Sequence, residues 1–168
     1  MNNRSKPVLK TNPLSAPWHW LAALGIGISL AGSVQAQARF SYSDNGAEVT
    51  DSRTGLIWQR CSVGQTWNGN SCIGTATAYL FQSALSYAQK QIGWRLPNVN
   101  ELSSLVDRSK INPSIDSLAF PVTVAWPYLT ASPDVDFSTS AWVVYFSDGK
   151  VITYPIDQFL GGVRLVHQ

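Results

Sequence analysis

Histidine, cysteine and charge are scarce in this chain, and each scarcity removes a class of function. There are two histidines in 168 residues, and only His167 lies beyond residue 36. A Ser/His/Asp or Cys/His nucleophilic site would have to use that residue, one short of a C-terminus of the kind that is usually mobile. Two cysteines and one histidine cannot furnish a Cys/His zinc site. Neither G-x-x-x-x-G-K-[ST] nor G-x-G-x-x-G occurs, so nucleotide phosphate loops are missing. Charged residues make up 13% of the chain. No Lys/Arg run follows residue 36, so no polyanion-binding stripe is visible in the linear sequence.

What is present starts with a leader. Residues Met1 to Pro17 carry Arg4, Lys6 and Lys10 and no acid, and an apolar run follows from Trp18 to Ala31. Small residues then give two small-x-small sites, Val34-Gln35-Ala36 and Ala36-Gln37-Ala38. A basic segment, a short apolar core and an A-x-A-like end describe a secretory signal at residues 1–36, cut after Ala36 or Ala38. A membrane anchor needs about 20 apolar residues, and this run is shorter and broken by glycines, so no stable anchor is expected after cleavage. With the three leader cations gone, nine Lys+Arg face ten Asp+Glu. The overall pI near 8.6 therefore belongs to the leader and does not argue for nucleic acid.

Residues 39–168 suffice for one domain with a proper core. Cys61 and Cys72 flank a Gly/Asn/Ser-rich segment. In an exported chain such a pair reads as one disulfide, closing a loop worth about 2–3 kcal/mol. A metal site would need more ligands, and a redox pair usually has tighter spacing.

Turn residues punctuate the rest. Asp44-Asn45-Gly46 and Asp51-Ser-Arg-Thr-Gly55 separate strand-like stretches at Phe40–Tyr42, Glu48–Asp51 and Leu56–Gln59. Ala78, Phe81, Leu85 and Ala88 then recur at helical spacing and predict a helix over 77–90, with Thr75 or Thr77 available as cap. Asn98 followed by Glu101 is a capping-box pattern opening a second helix, with Val99, Leu102, Leu105 and Val106 as its apolar stripe. Asp148-Gly149 between Ala141–Phe146 and Val151–Tyr154 predicts a late hairpin, apolar on both faces and so central to a sheet. Val163–Val166 reads as a terminal strand. Strands, two helices and strands again make an α+β domain.

Few residues offer chemistry. Asp134 and Asp136 are weak calcium candidates, with Asp148 on the hairpin as a further oxygen donor; calcium takes about six to eight oxygens, and the plainer reading is a solvated loop. Glu101 fits a cap better than a catalytic acid. No carboxylate pair shows glycosidase spacing. Trp67, beside Asn68 and Asn70 in the disulfide loop, and Trp126-Pro-Tyr128 are the candidate ligand-binding residues, because rings with neighbouring amides suit sugar faces and protein hot spots. Trp58, Trp94 and Trp142, flanked by apolar residues, read as core.

In order, Thr54-Gly-Leu-Ile-Trp58, Cys61 to Cys72 enclosing Thr66-Trp67-Asn68-Gly69, Trp94-Arg-Leu-Pro-Asn98 with Glu101-Leu102, Ala141-Trp142 and Val163-Arg-Leu-Val166 form a distinctive series. It resembles the Lcl C-terminal domain family over residues 39–168. The resemblance implies a bacterial exported domain with a variant of the C-type lectin-like fold: two helices packed on a small antiparallel sheet, a late central hairpin and one disulfide. It also implies that most of these motif words are architectural. The best-known member is an adhesin whose trimeric head, on a collagen-like stalk, binds sulfated glycosaminoglycans. This sequence shows no Gly-x-y stalk and its mature charge is slightly acidic, so a trimer is an expectation by resemblance alone and polyanion binding does not carry over. Relatives often have Trp-Tyr-Trp where this chain has Trp126-Pro-Tyr128, a departure that weakens the segment as a binding site.

The expectation is a non-catalytic binding or adhesion module without cofactor, periplasmic or extracellular, whose partner is a glycan or an envelope or extracellular protein. The alternative is an assembly component of an envelope, pilus or secretion system. An enzyme is less favoured: a distantly related fold generates formylglycine with cysteines, and both cysteines here are read as paired.

Overall fold

The computed structural model describes residues 38–168; the leader assigned to residues 1–36 and its cleavage lie outside the described residues. The domain opens as a hairpin of β1 (Phe40–Tyr42) and β2 (Glu48–Asp51). Its turn is set by Gly46, at φ 70°, and by the Asn45 carboxamide oxygen, which accepts the Ala47 N–H at 3.0 Å. A second turn returns β3 (Leu56–Gln59) antiparallel to β2. The last strand, β11 (Val166–His167), pairs with β3 and completes a sheet of order β1-β2-β3-β11. Both ends of the domain therefore meet in one sheet, and Asp51, fully buried at the end of β2, is held by Arg39 through two bonds of 3.0 and 2.6 Å.

The disulfide pairs as expected: Cys61 and Cys72 are bonded, with Cα atoms 5.5 Å apart. Between them β4 (Thr66–Trp67) and β5 (Cys72–Ile73) form a short ribbon. Asn68 turns it, its side-chain oxygen accepting the N–H groups of Asn70 and Ser71. Gly64 has φ 94°, and a Cβ there would lie 2.3 Å from the Thr77 hydroxyl; only glycine lets the loop lie this close to 75–77.

Helix one is shorter than its periodicity predicts. Tyr79–Leu80 forms a strand, β6, paired with β10 (Leu160–Gly161), and α1 covers Phe81–Gln89. Neither Thr75 nor Thr77 caps it. The Thr77 N–H donates instead to the Val63 carbonyl at 2.8 Å, so long-range pairing has overridden a local cap. The capping box at α2 (Val99–Ser103) forms as the sequence predicts: Asn98 Oδ1 accepts from Glu101 N–H at 2.9 Å, and Glu101 Oε2 accepts from Asn98 N–H at 2.8 Å. Arg95 adds a bidentate pair to Glu101, at 2.8 Å twice, and that guanidinium holds the Glu101 carboxyl below its usual range.

The late hairpin is also present, but only half of it is central. In the sheet β7 (Pro127–Pro133), β8 (Ser140–Tyr145), β9 (Val151–Pro155), β8 is the middle strand and β9 is an edge. Val144 of β8 joins the core cluster with Trp58, Leu102, Leu105, Phe120, Tyr128 and Phe146, while Val143 joins a second with Ala84, Ala88, Leu96, Leu129 and Leu165. Alternation along one strand thus feeds two cores, α2 covering one and α1 the other. Gly161 and Gly162 let the final segment close on β7: a Cβ at either would come to about 3 Å of the Leu129 or Tyr128 side chain.

Candidate functional site

The domain places two arginines where, among the described residues, no carboxylate meets them. Arg164 is fully buried. Its guanidinium donates to the carbonyls of Gln59 and Arg60 and to the hydroxyls of Ser62 and Thr123, and it lies 4.8 Å from the Phe120 ring centroid. Burial pulls its pKa downward, and a fan of oxygen acceptors replaces the missing counter-ion. Arg60 does likewise nearer the surface, donating to Ala119, Gly46 and Leu118 carbonyls at 2.9, 2.7 and 2.7 Å. Its plane sits between Tyr42 and Trp67, 4.4 and 4.0 Å from the ring centroids.

Arg60 therefore fixes Trp67. The Trp67 indole N–H donates to the Asn45 carbonyl at 2.9 Å, and the ring edge rests on Gly46, where a Cβ would come to 3.3 Å. Held this way, Trp67 walls a cleft of about 300 Å³ together with Glu48, Gln59, Val63, Thr66, Tyr87 and Trp94. Trp94 is fixed edge-on against the His167 ring, with centroids 4.4 Å apart. His167, in β11, is itself paired with Ile57 of β3; it is held in a sheet and serves as packing for a cleft wall. Three half-buried rings are thus presented at fixed angles by β4, α1 and the loop after α1. The cleft also carries unspent polar groups. Gln65 uses its carboxamide on Ser62 N–H and the Val122 carbonyl, but the side chains of Glu48, Gln59 and Thr66 make no hydrogen bond among the described residues.

The other sequence candidates separate. Tyr128 is fully buried, its hydroxyl 2.7 Å from Ser62 Oγ, so it is core and cannot meet a ligand. Trp126 is 39% exposed and lies outside the Trp67 cleft. Asn68 spends its side-chain oxygen on its own turn, and Asn70 is exposed on that turn. Asp134 Oδ1 accepts the Asp136 N–H at 3.0 Å, whereas Asp148 follows the far end of β8 and pairs with Lys150 at 2.8 Å. The three acids do not converge, and among the described residues no three His, Cys, Asp or Glu side chains gather as metal ligands. Of the tryptophans read as core, Trp58 is fully buried, but Trp94 and Trp142 are only half-buried. Trp94 is the candidate cleft residue that local sequence misses: its apolar neighbours Leu96 and Ile92 suggest burial, and only the fold turns its ring to the cleft.

Folding also gathers Arg39, Arg53 and Arg108 at a separate cleft of about 440 Å³, which linear sequence did not show. Asp107 and Asp116 share its wall, so the cleft is of mixed sign. Among the described residues no helix is long and apolar enough to cross a membrane.

Residues 47–167 match the family model described as Lcl C-terminal domain. No curated protein and no solved structure matches the chain.

Proposed function

We propose, for a chain that belongs to the Lcl C-terminal domain family, that this is an exported, non-catalytic module that binds a glycan in the cleft between the disulfide loop and α1. One observation carries the reading: Trp67, Tyr87 and Trp94 share that cleft with the unspent Glu48, Gln59 and Thr66 side chains. Ring faces cover the C–H surface of a sugar while a few polar groups fix its hydroxyls, the usual division of labour in a small-ligand cleft. Glu48 stands without a facing second carboxylate, which suits recognition better than glycoside hydrolysis. Export is supported by the leader-like first 36 residues and the disulfide. The finer fold reading, a C-type lectin-like variant, is supported by domain ends joined in one sheet, two helices and a late hairpin.

The test is a glycan array with the mature protein, followed by titration monitored by tryptophan fluorescence. Binding is expected, with Trp94→Ala weakening it at least about tenfold, the scale of one lost aromatic contact, and Trp126→Ala leaving it unchanged. An array without hits at low salt sinks the reading.

A second reading has its own observation. Val135 and Phe137, on the loop between β7 and β8, are 92% and 65% exposed, a feature suited to protein contact in an envelope assembly. In-cell crosslinking from position 137 would capture a protein partner under that reading and none under the first.

A further inference from the structure

We infer that the ligand is an uncharged, linear oligosaccharide lying along a groove that runs from the Trp67 cleft onto the outer face of α1; the inference rests on the glycan reading above. A second depression of about 390 Å³ is lined by Tyr79, Gln82, Ser83, Ser86, Tyr87 and Lys90. Tyr87 is also a wall of the first cleft, so the two spaces adjoin at one ring. Tyr79 stands beside Tyr87, with centroids 5.4 Å apart and planes inclined by 45°. The groove therefore carries rings from Trp67 and Trp94 through Tyr87 to Tyr79.

Length separates a chain from a single sugar. At 1.5 Å per residue the helical wall from Gln82 to the C-cap Lys90 is about 12 Å long, more than one pyranose ring occupies, and the Trp67 cleft adds to it. Composition separates neutral from charged. Across both depressions only Glu48 and Lys90 carry charge, one of each sign, in different depressions. A polyanion would gain one cation and meet one carboxylate, whereas a neutral chain finds amide and hydroxyl partners in Gln59, Thr66, Gln82, Ser83 and Ser86. None of these side chains makes a hydrogen bond among the described residues. The basic residues Arg39, Arg53 and Arg108 line another cleft altogether.

The experiment measures Kd for neutral oligomers graded from disaccharide to hexasaccharide (chitin-, cello-, malto- and galacto-series) against the mature protein. Affinity is expected to rise about three- to tenfold between disaccharide and tetrasaccharide, as one further ring contact predicts. It should change little in about 0.5 M NaCl, where exposed charge pairing is screened. Ser86→Arg fills the α1 depression from an exposed helical position without touching the core; it should abolish the length gain and leave the disaccharide Kd unchanged, and Ser83→Arg should repeat the effect. Disaccharide binding with no dependence on length, or a length gain that survives both arginine variants, overturns the groove while leaving the cleft reading standing. No binding by any of these neutral series, with charged glycans bound on the array, overturns the neutral-chain inference and leaves the cleft reading standing; an array without any hit overturns both.

Discussion

Trp67 and Tyr128 belong to the two aromatic segments that the sequence offers for binding, the second weakened by its departure from the family pattern, and each ends up beside an arginine held by oxygen acceptors rather than by an acid. The surroundings then diverge. Tyr128 lies 5.9 Å from Arg164 in the core and shares Ser62 with it as a hydrogen-bond partner. Trp67 stacks on Arg60 at the rim of a cleft. A ring on a strand whose neighbours Leu129 and Thr130 are also buried has no face left for a ligand. A ring on a two-residue strand between polar turns keeps one. Flanking polarity is therefore a better guide to ligand access than ring type is.

The difference is tested most strongly at Tyr128. Replacing it with alanine opens a large space beside Phe146, whose ring it meets edge-on at 5.1 Å, and leaves Ser62 and Arg164 short of a neighbour. We expect a loss of about 3–5 kcal/mol in urea unfolding, the range for large aromatic truncations in cores. Tyr128→Phe isolates the hydroxyl and should cost about 1–2 kcal/mol. Stability unchanged by the alanine variant would mean that the ring is peripheral and the segment available to a ligand after all.

Next in size is the disulfide. Cys61 and Cys72 are separated by 11 positions, and closing such a loop is worth about 2–3 kcal/mol in the chain-entropy model. The double variant Cys61→Ser/Cys72→Ser should lose about that much in urea unfolding, and it should also loosen the ribbon that carries Trp67. Intrinsic fluorescence of the folded variant should then shift to the red as Trp67 gains solvent, the fully buried Trp58 remaining in the core. A variant as stable as the parent would show that the arginine anchor alone holds the loop.

Much of this architecture was legible because its signals are local. The Asn98/Glu101 capping box, the Gly46 turn, the Asp148-Gly149 hairpin and the cysteine pair each need only a few adjacent residues to specify geometry. What escaped depends on partners distant in sequence. Tyr79–Leu80 leaves the helix because Leu160–Gly161 offers it a strand. Trp94 becomes a cleft wall because His167, far along the chain, props its ring. Arg164 reads as one cation in an apolar terminal strand, and nothing near it announces that Gln59, Arg60, Ser62 and Thr123 supply its acceptors. The candidate site was thus legible only at Trp67, the one member whose role follows from its own loop.

The smallest expected effects sharpen the comparison most, because they separate anchoring from exposure. Trp67→Ala removes the stacking on Arg60 and the hydrogen bond to the Asn45 carbonyl. At about 0.5–1 kcal/mol for a partly exposed cation–ring contact and about 1 kcal/mol for the bond, the loss should come to about 1–2 kcal/mol, accompanied by loss of ligand binding. Trp126 has no such anchor: its backbone accepts from Phe146 N–H and donates to the Val124 carbonyl, bonds that alanine keeps. Trp126→Ala should therefore stay within about 0.5 kcal/mol of the parent, as surface replacements do, and bind the same ligands. If Trp126→Ala abolished binding while Trp67→Ala retained it, the binding face would lie at the start of β7, and the anchored ring would have to be read as packing alone.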